Sequence, residues 1–384
     1  MKQFQLKTTI QQFDHCKDFC DAFQIGQGDL IITSSHIYRD YFEQFKLPVT
    51  VINMRSYGNG EPNDEMVEAM YQDIKDIDYH RVIAIGGGSI LDVSKLFALK
   101  NISPVLDLFD HKLEFEKCRE LILVPTTCGT GSEVTNISIL EIVSRHTKLG
   151  LAVNELFADY AVLIPELLDK LPFPFFATSS IDAFIHAIES YLSPKASPFT
   201  ELYSRTAMEM ILKGYQTIVS NKMNRKADSL VTNEAADIAP LMEDFLIAST
   251  YAGIAFGNAG TAAVHAMSYP LSGMFHVPHG EANYSIFTGV FHMYQQLDPN
   301  GKLEQLNQFL SEILHCAADN VYDELEALFN HLIPKKPLSE YGVTKSLIED
   351  FTTTVMEKQG RLMANNYVVL SREQVHQIYE TLYE

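Results

Sequence analysis

Residues 81–99 read RVIAIGGGSILDVSKLFAL. The unbroken apolar run from Val82 to Ile85, rich in branched side chains, fits a strand buried on both faces of a parallel sheet, and the pattern after the glycines is helical. Gly86, Gly87 and Gly88 let the backbone pass close to a phosphate. The helix that follows, with Ser89 and Asp92 near its start, offers unpaired N–H groups and the positive end of its dipole. A tight strand-to-helix turn that needs glycine for backbone geometry alone has the same sequence. The spacing is not the dinucleotide fingerprint Gly-x-Gly-x-x-Gly, because Leu91 stands where the third glycine belongs.

A second element of the same kind follows at 121–136, LILVPTTCGTGSEVTN. It reads as a buried strand running into Thr126 and Thr127, then Gly129 and Gly131 with Thr130 and Ser132 between and after them. Two glycine-and-hydroxyl loops at the carboxyl ends of strands in one sheet mark where open α/β sheets bind ligands, and together they point to a long ligand with phosphates in its middle. No Gly-Lys-Ser/Thr at the required spacing makes either one a Walker loop.

Outward from these loops, short branched runs (DLIITS, VTVIN, YAVLIP) alternate with helical patterns such as DEMVEAMYQDIKDI between residue 29 and about 164, the rhythm of parallel strands joined by crossover helices. After KLPFPFF long helical patterns dominate to the C-terminus. The expectation is an α/β domain carrying both glycine loops over 1–176 and an all-α domain over 177–384, with the boundary near Phe176. A chain of 384 residues exceeds one ordinary core, which agrees with two domains. The polar stretch 221–240 reads as an insertion between helices.

A net charge of −20, from 29 basic and 49 acidic residues, excludes nucleic acid and anionic membrane surfaces as expected partners and leaves a small-molecule substrate. No apolar stretch reaches the ~18 residues of a membrane span, and the N-terminal segment lacks a signal-peptide core, so the expectation is a cytoplasmic protein. Five scattered cysteines without a Cys-x-x-Cys pair indicate neither a disulfide framework nor a zinc knuckle.

In the second half, SSIDAFIHAIESY places Asp182 and His186 four residues apart on one helix face, where a carboxylate and an imidazole can converge on one ion. Alone, such a pair is more often a hydrogen-bonded or surface couple. Further on, AVHAMSYPLSGMFHVPHGEAN sets His265, His276 and His279 in an apolar, glycine-containing stretch, where neutral imidazoles need partners. One aspartate and two or three histidines suit Fe2+ or Zn2+ with a position left open for substrate.

In order, GGGSILDVSK, PTTCGTGSEVTN, SSIDAFIHAIESY and AVHAMSYPLSGMFHVPHGEAN resemble the signature segments of the iron-containing (type III) alcohol dehydrogenases, a family with a dehydroquinate synthase-like fold. GEPNDEM, RHTK and YAGIAFGNAG bring the resemblance nearest to the members that act on 4-hydroxybutyrate. The resemblance implies that the α/β domain is a dinucleotide-binding domain and the all-α one a metal-binding and substrate domain, and it implies hydride transfer between a nicotinamide cofactor and a primary alcohol or aldehyde, with 4-hydroxybutyrate and succinate semialdehyde as the pair. A general iron-type alcohol dehydrogenase for uncharged short-chain alcohols such as butanol is the alternative.

Position by position, the resemblance implies Asp182, His186, His265 and His279 as metal ligands. It implies Gly86, Gly87, Gly88, Ser89, Asp92, Thr126, Thr127, Thr130, Ser132 and Lys148 at the cofactor, with Ser34 after an early strand where an aspartate would reject the 2′-phosphate of NADP. NAD is therefore expected by analogy only. It also implies a homodimer or larger assembly. Two positions depart from the family. Tyr269 stands where many members have a histidine, so it is a candidate for a proton relay or for pocket lining. NNY at 365–367 stands where many have NPR. A substrate carboxylate needs a cationic or donor partner, and Arg361 and His276 are the foremost candidates, with Arg145 and His146 behind them. His276 is also a catalytic candidate, whereas His292 reads as packing or surface.

Overall fold

In the computed structural model, residues 3–58, 60–145, 147–225 and 238–384 are described. The chain divides into two compact units, Leu6–Leu171 and Pro172–Glu384, and the second also takes in the chain up to Gln5.

The first unit is built on a six-stranded parallel sheet. Its strands are β1 (Thr9–Gln12), β2 (Asp29–Thr33), β3 (Thr50–Asn53), β4 (Arg81–Gly86), β5 (Glu120–Pro125) and β8 (Tyr160–Leu163), in the order β1-β8-β5-β4-β2-β3. From Val82 to Gly86 and from Leu121 to Pro125 every residue is buried, which is why these strands read as unbroken apolar runs and not as alternating ones. β4 pairs with β5 from Arg81↔Glu120 to Gly86↔Pro125, so the two glycine loops leave the sheet side by side at its carboxyl edge. Leu30, Val82, Ala84, Leu91, Leu121 and Leu123 belong to one core cluster on this sheet, each wholly buried. An antiparallel ribbon, β6 (Ile137–Ile142) with β7 (Thr147–Ala152), alternates partly exposed and buried residues along β6, as a strand with one face to the core should.

The second unit is helical among its described residues. The helices used below are α1 (Phe173–Leu192), α2 (Pro198–Arg225), α3 (Met242–Ala259), α4 (Ala263–Phe275) and α5 (His279–Leu297), the numbering confined to this unit. From Ser180 to Leu192 every residue of α1 is buried, so over this stretch the helix has no solvent face and its polar residues must be satisfied inside. Phe184 on α1 meets Phe287 of α5 and Phe329 edge-on, at 6.0 and 5.3 Å between ring centres. Burying a phenylalanine of this kind stabilises the unit by about 2–3 kcal/mol, and the edge-on geometry adds about 0.5–1.5 kcal/mol per pair.

Two details of organisation differ from the expectation. Phe176 is not a linker residue but lies in the first turn of α1, and the chain leaves the first unit at Leu171. Pro172 and Pro174, in the KLPFPFF segment after which the helical patterns begin, sit at the helix start, where backbone N–H groups have no helical acceptor and proline is tolerated. The residues before Leu6 join the helical unit: Gln5 donates its N–H to Asn258 Oδ1 at 2.7 Å, and Asn258 Nδ2 donates back to Gln5 O at 3.0 Å. Of the polar stretch 221–240, residues 226–237 lie outside the described residues.

Candidate metal centre

Asp182 on α1, His265 on α4 and His279 at the start of α5 each offer a ligand atom within 4.8 Å of the others. His265 Nε2 stands 3.6 Å and His279 Nε2 3.8 Å from Asp182 Oδ1. Both separations are too long for hydrogen bonds, so the atoms surround a common point and do not bond to each other. Nitrogen and oxygen ligands about 2.1 Å from a tetrahedral ion stand about 3.4 Å apart, close to what is seen here. Asp182 and His265 are buried, while His279 keeps 34% of its side chain exposed and gives the centre an open side.

The strongest sign that this arrangement is made for a cation is His265. Its Nδ1 faces Glu189 Oε2 at 2.6 Å, while its Nε2 is buried with no hydrogen-bond partner among the described residues. A buried polar atom of this kind is costly, and a cation at the common point would satisfy it. Charge agrees. Burial pushes the Asp182 carboxyl up, but the imidazoles of His186, His279 and His265 and the Asn283 amide outweigh it and bring it below the usual carboxylate range. Burial pulls the His265 imidazole down, yet Glu189 and Asp182 outweigh it and bring it above its ordinary value.

His186 is at the centre without belonging to the compact set of three. Its Nδ1 lies 4.0 Å from Asp182 Oδ2, and its ring stacks on His265 at 4.5 Å and on Phe256 at 4.2 Å. Tyr269 follows His265 by one turn of α4 and puts its ring 6.0 Å from that of His279. His276 caps the C-terminal end of α4 in a left-handed conformation at φ 54°, exposed, three residues before His279. Arg361 is exposed in the short helix Gly360–Met363, and Asn365, just beyond it, donates Nδ2 to Thr261 O at 2.9 Å. Arg145 pairs with Asp110. His146 lies outside the described residues, and His292 pairs with exposed Asp323 at 3.3 Å.

Two residues without an assigned role in the sequence belong to this centre. Glu189 is seven residues after Asp182 and three after His186, the i, i+4, i+7 spacing of one helix face, and that spacing was the available signal. Asn283 is four residues after His279 and wholly buried, with Nδ2 donating to Asp182 Oδ1 at 2.6 Å and lying 3.2 Å from His279 Nε2.

In the α/β unit the expected cofactor residues gather at the carboxyl edge of β2, β4 and β5. A Cβ on Gly88 would lie 2.7 Å from Thr130 Cγ2 and one on Gly87 3.5 Å from Thr127 Cγ2, so the two loops pack against each other and Gly88 has no room for a side chain. Thr126 N–H donates to Gly86 O at 3.0 Å. Ser34 follows β2, buried, and Ser89 is exposed in the first turn after the glycines. Asp92 and Ser132 face inward. Asp92 accepts from Ser132 Oγ at 2.5 Å, from Ile139 N–H at 3.0 Å and from Lys95 Nζ at 3.3 Å. Lys95, fully buried, also donates to Ser132 Oγ at 2.8 Å, Thr135 Oγ1 at 3.2 Å and Ile137 O at 2.6 Å. These side chains therefore hold the helix after the glycines to the segment leading into β6. Lys148 pairs with Glu61 at 3.2 Å.

Known proteins carry the same plan. A family model described as iron-containing alcohol dehydrogenase matches residues 8–165, and one described as the C-terminal part of the Fe-containing alcohol dehydrogenase family matches 176–383. The chain is 46% identical over 383 residues to a 4-hydroxybutyrate dehydrogenase of Clostridium kluyveri, covering 100% of both chains. It is 33% identical to long-chain-alcohol dehydrogenase 1 of Geobacillus thermodenitrificans over 84% of this chain and 80% of that one. Among solved structures, it resembles a sulfoacetaldehyde reductase of Bifidobacterium kashiwanohense in complex with NAD+ at a TM-score of 0.83 and 23% identity, covering 100% and 99% of the two chains, a likeness of fold. The chain belongs to the iron-containing alcohol dehydrogenase family.

Proposed function

We propose that this chain transfers a hydride reversibly between NAD and a primary alcohol or its aldehyde, with 4-hydroxybutyrate and succinate semialdehyde as the pair. The observation that carries the reading is the 46% identity over the whole chain to a 4-hydroxybutyrate dehydrogenase. It is joined by the buried Asp182, His265 and His279 set.

Asp182, His265 and His279, with His186 beside them, would hold Fe2+ or Zn2+. The cation would supply Lewis-acid polarisation of the substrate oxygen, and NAD the hydride acceptor. The protein's own part is position and charge. The single carboxylate of Asp182 and the neutral imidazoles leave a divalent site with net positive charge, where negative charge on an oxygen is favoured. Tyr269, one turn from His265 and beside His279, lines the substrate side. His276 and Arg361 are offered as partners for the far carboxylate. His276 is supported by its place three residues from His279, and Arg361 by the Asn365 tie to Thr261, four residues before His265. The paired loops of Gly86, Gly87, Gly88 and Ser89 and of Thr126, Thr127 and Thr130 would receive the cofactor's phosphates, with Ser34 and Lys148 along its length and Asp92 and Ser132 bracing the loops from within.

The exposed apolar surface of Phe199 (64%) and Leu202 (65%), beside Phe4, supports a homodimer or larger assembly. The five scattered cysteines, without a Cys-x-x-Cys pair, support a cytoplasmic setting, and no helix of the described residues is long and apolar enough to cross a membrane.

The test is NADH oxidation at 340 nm with metal-loaded protein, comparing kcat/KM for succinate semialdehyde and butanal. A charged contact to the carboxylate should favour the acid by about 2–5 kcal/mol, roughly 30-fold to several thousand-fold. Comparable values would replace this reading with a general dehydrogenase for uncharged alcohols, which the similarity to a long-chain-alcohol dehydrogenase favours.

A further inference from the structure

We infer that Glu189 is a positioning residue for the metal centre: its carboxylate fixes His265 in the tautomer whose Nε2 is a lone pair aimed at the common point with Asp182. This rests on the reading of Asp182, His265 and His279 as metal ligands.

Glu189 sits on α1, buried to 2% exposure, and both its oxygens are engaged by the segment that leads into α4. Oε1 accepts from Val264 N–H at 2.7 Å, and Oε2 from Ala262 N–H at 3.0 Å, with His265 Nδ1 at 2.6 Å from the same oxygen. A carboxylate only accepts, so Nδ1 must be the protonated nitrogen. A neutral imidazole then has its lone pair on Nε2, the atom buried without a hydrogen-bond partner among the described residues and 3.6 Å from Asp182 Oδ1. The two backbone N–H groups belong to the start of α4, where helical acceptors are lacking, so the one carboxylate anchors the helix that carries His265 and orients its ring. Partners of this kind behind a ligating histidine set its tautomer and raise its basicity.

Glu189→Gln tests the carboxylate while nearly keeping its shape. The amide has one acceptor oxygen, and its NH2 group cannot accept from an imidazole N–H, so the histidine contact and the two backbone contacts can no longer all be kept. The measurement is affinity for Co2+ and Zn2+ by competition with a chromogenic chelator, together with the visible d–d spectrum of the Co2+-loaded protein. Val321→Ala, a buried site on the helix Val321–Asn330, controls for lost stability. Glu189→Gln should lower affinity by about 10- to 100-fold and shift the Co2+ bands, while Val321→Ala keeps both near wild type. Wild-type affinity and spectrum in a folded Glu189→Gln protein would overturn the inference and leave the metal assignment standing; a wild-type chain that binds neither ion would overturn both.

Should Glu189→Gln fail to fold, the wild-type protein still decides. Histidine side-chain 15N–1H correlation spectra, with His265 assigned by the signal missing in His265→Ala, should show protonated Nδ1 with and without Zn2+. A proton on Nε2 in the metal-free protein, with none on Nδ1, would overturn the inference.

Discussion

Gly280 follows His279 and is packed directly on the helix that carries Asp182. A Cβ at this position would lie 2.0 Å from Thr178 O and 2.7 Å from Thr178 C, both backbone atoms of α1 that no rotamer change can move. Even a tight contact of 3.0 Å requires the start of α5 to move away from α1 by at least about 1 Å. Overpacking of ordinary side chains costs about 1–3 kcal/mol, and backbone against backbone belongs at the upper end, about 3 kcal/mol. At about 2–4 °C per kcal/mol for a unit of roughly 200 residues, Gly280→Ala should lower Tm by about 6–12 °C. The same displacement separates His279 from Asp182, now 3.8 Å apart. A misplacement of about 1 Å costs on the order of a hundredfold in kcat, and metal affinity should fall with it. Gly273 in α4 is the contrast, because nothing lies within 4 Å of its added Cβ. Gly273→Ala should therefore raise stability by about 0.5–1 kcal/mol, as alanine does in a helix. Differential scanning calorimetry, metal analysis and initial rates on both variants form the assay. A Gly280→Ala protein with wild-type Tm, metal content and kcat would refute the claim that the α1 to α5 contact sets the metal centre.

His265→Ala and His279→Ala should each abolish turnover and lower bound metal well below one per chain, whereas His292→Ala, which alters a pairing with exposed Asp323 and a ring contact with Tyr322, should leave both near wild type by metal analysis and rates. Tyr269→Phe should change kcat by less than about tenfold, or roughly 1.4 kcal/mol, if the ring lines the pocket; a hundredfold loss with unchanged KM would make the hydroxyl a proton relay. Lys95→Met removes the buried ammonium from Asp92, Ser132, Thr135 and Ile137. Because Asp92 keeps two other donors, the cost should be about 2–4 kcal/mol, below that of an unrelieved buried charge. It should appear as a lower Tm and a raised KM for NAD, and no change in either would refute the bracing role.

The central strands were legible because burial on both faces leaves a continuous apolar run, and the glycine turns because few residues other than glycine fit so close an approach. Gly88 against Thr130 is a case in point. Asp182, His265 and His279 stood out as polar groups in apolar surroundings, and the structure brings them together. What the sequence did not reveal depends on contacts far along the chain. Glu189 drew no assignment because its partners lie 73 to 76 residues on, at Ala262, Val264 and His265. Lys95 drew none because the acceptors that allow its burial come mostly 37 to 42 residues later. The unit boundary lies a few residues before Phe176 because Pro172 and Pro174 belong to the start of α1.

The pairing of Gln5 with Asn258 makes the α/β unit, in chain order, an insertion within the helical one. On the ribosome the segment before Leu6 emerges ahead of the α/β unit, yet its partner on α3 is made only about ninety residues after Leu171 completes the inserted unit. At roughly 5–20 residues per second, that leaves the nascent N-terminal segment without its docking site for about 4–18 s while the α/β unit can already fold. The aromatic rings that Phe4 meets, Phe199 and Tyr203, appear earlier in that interval. A translational pause placed before Phe199 would prolong the exposure of Phe4 and Gln5, and a bulky fusion ahead of them would burden the folding of the helical unit more than that of the sheet nearest to it in sequence.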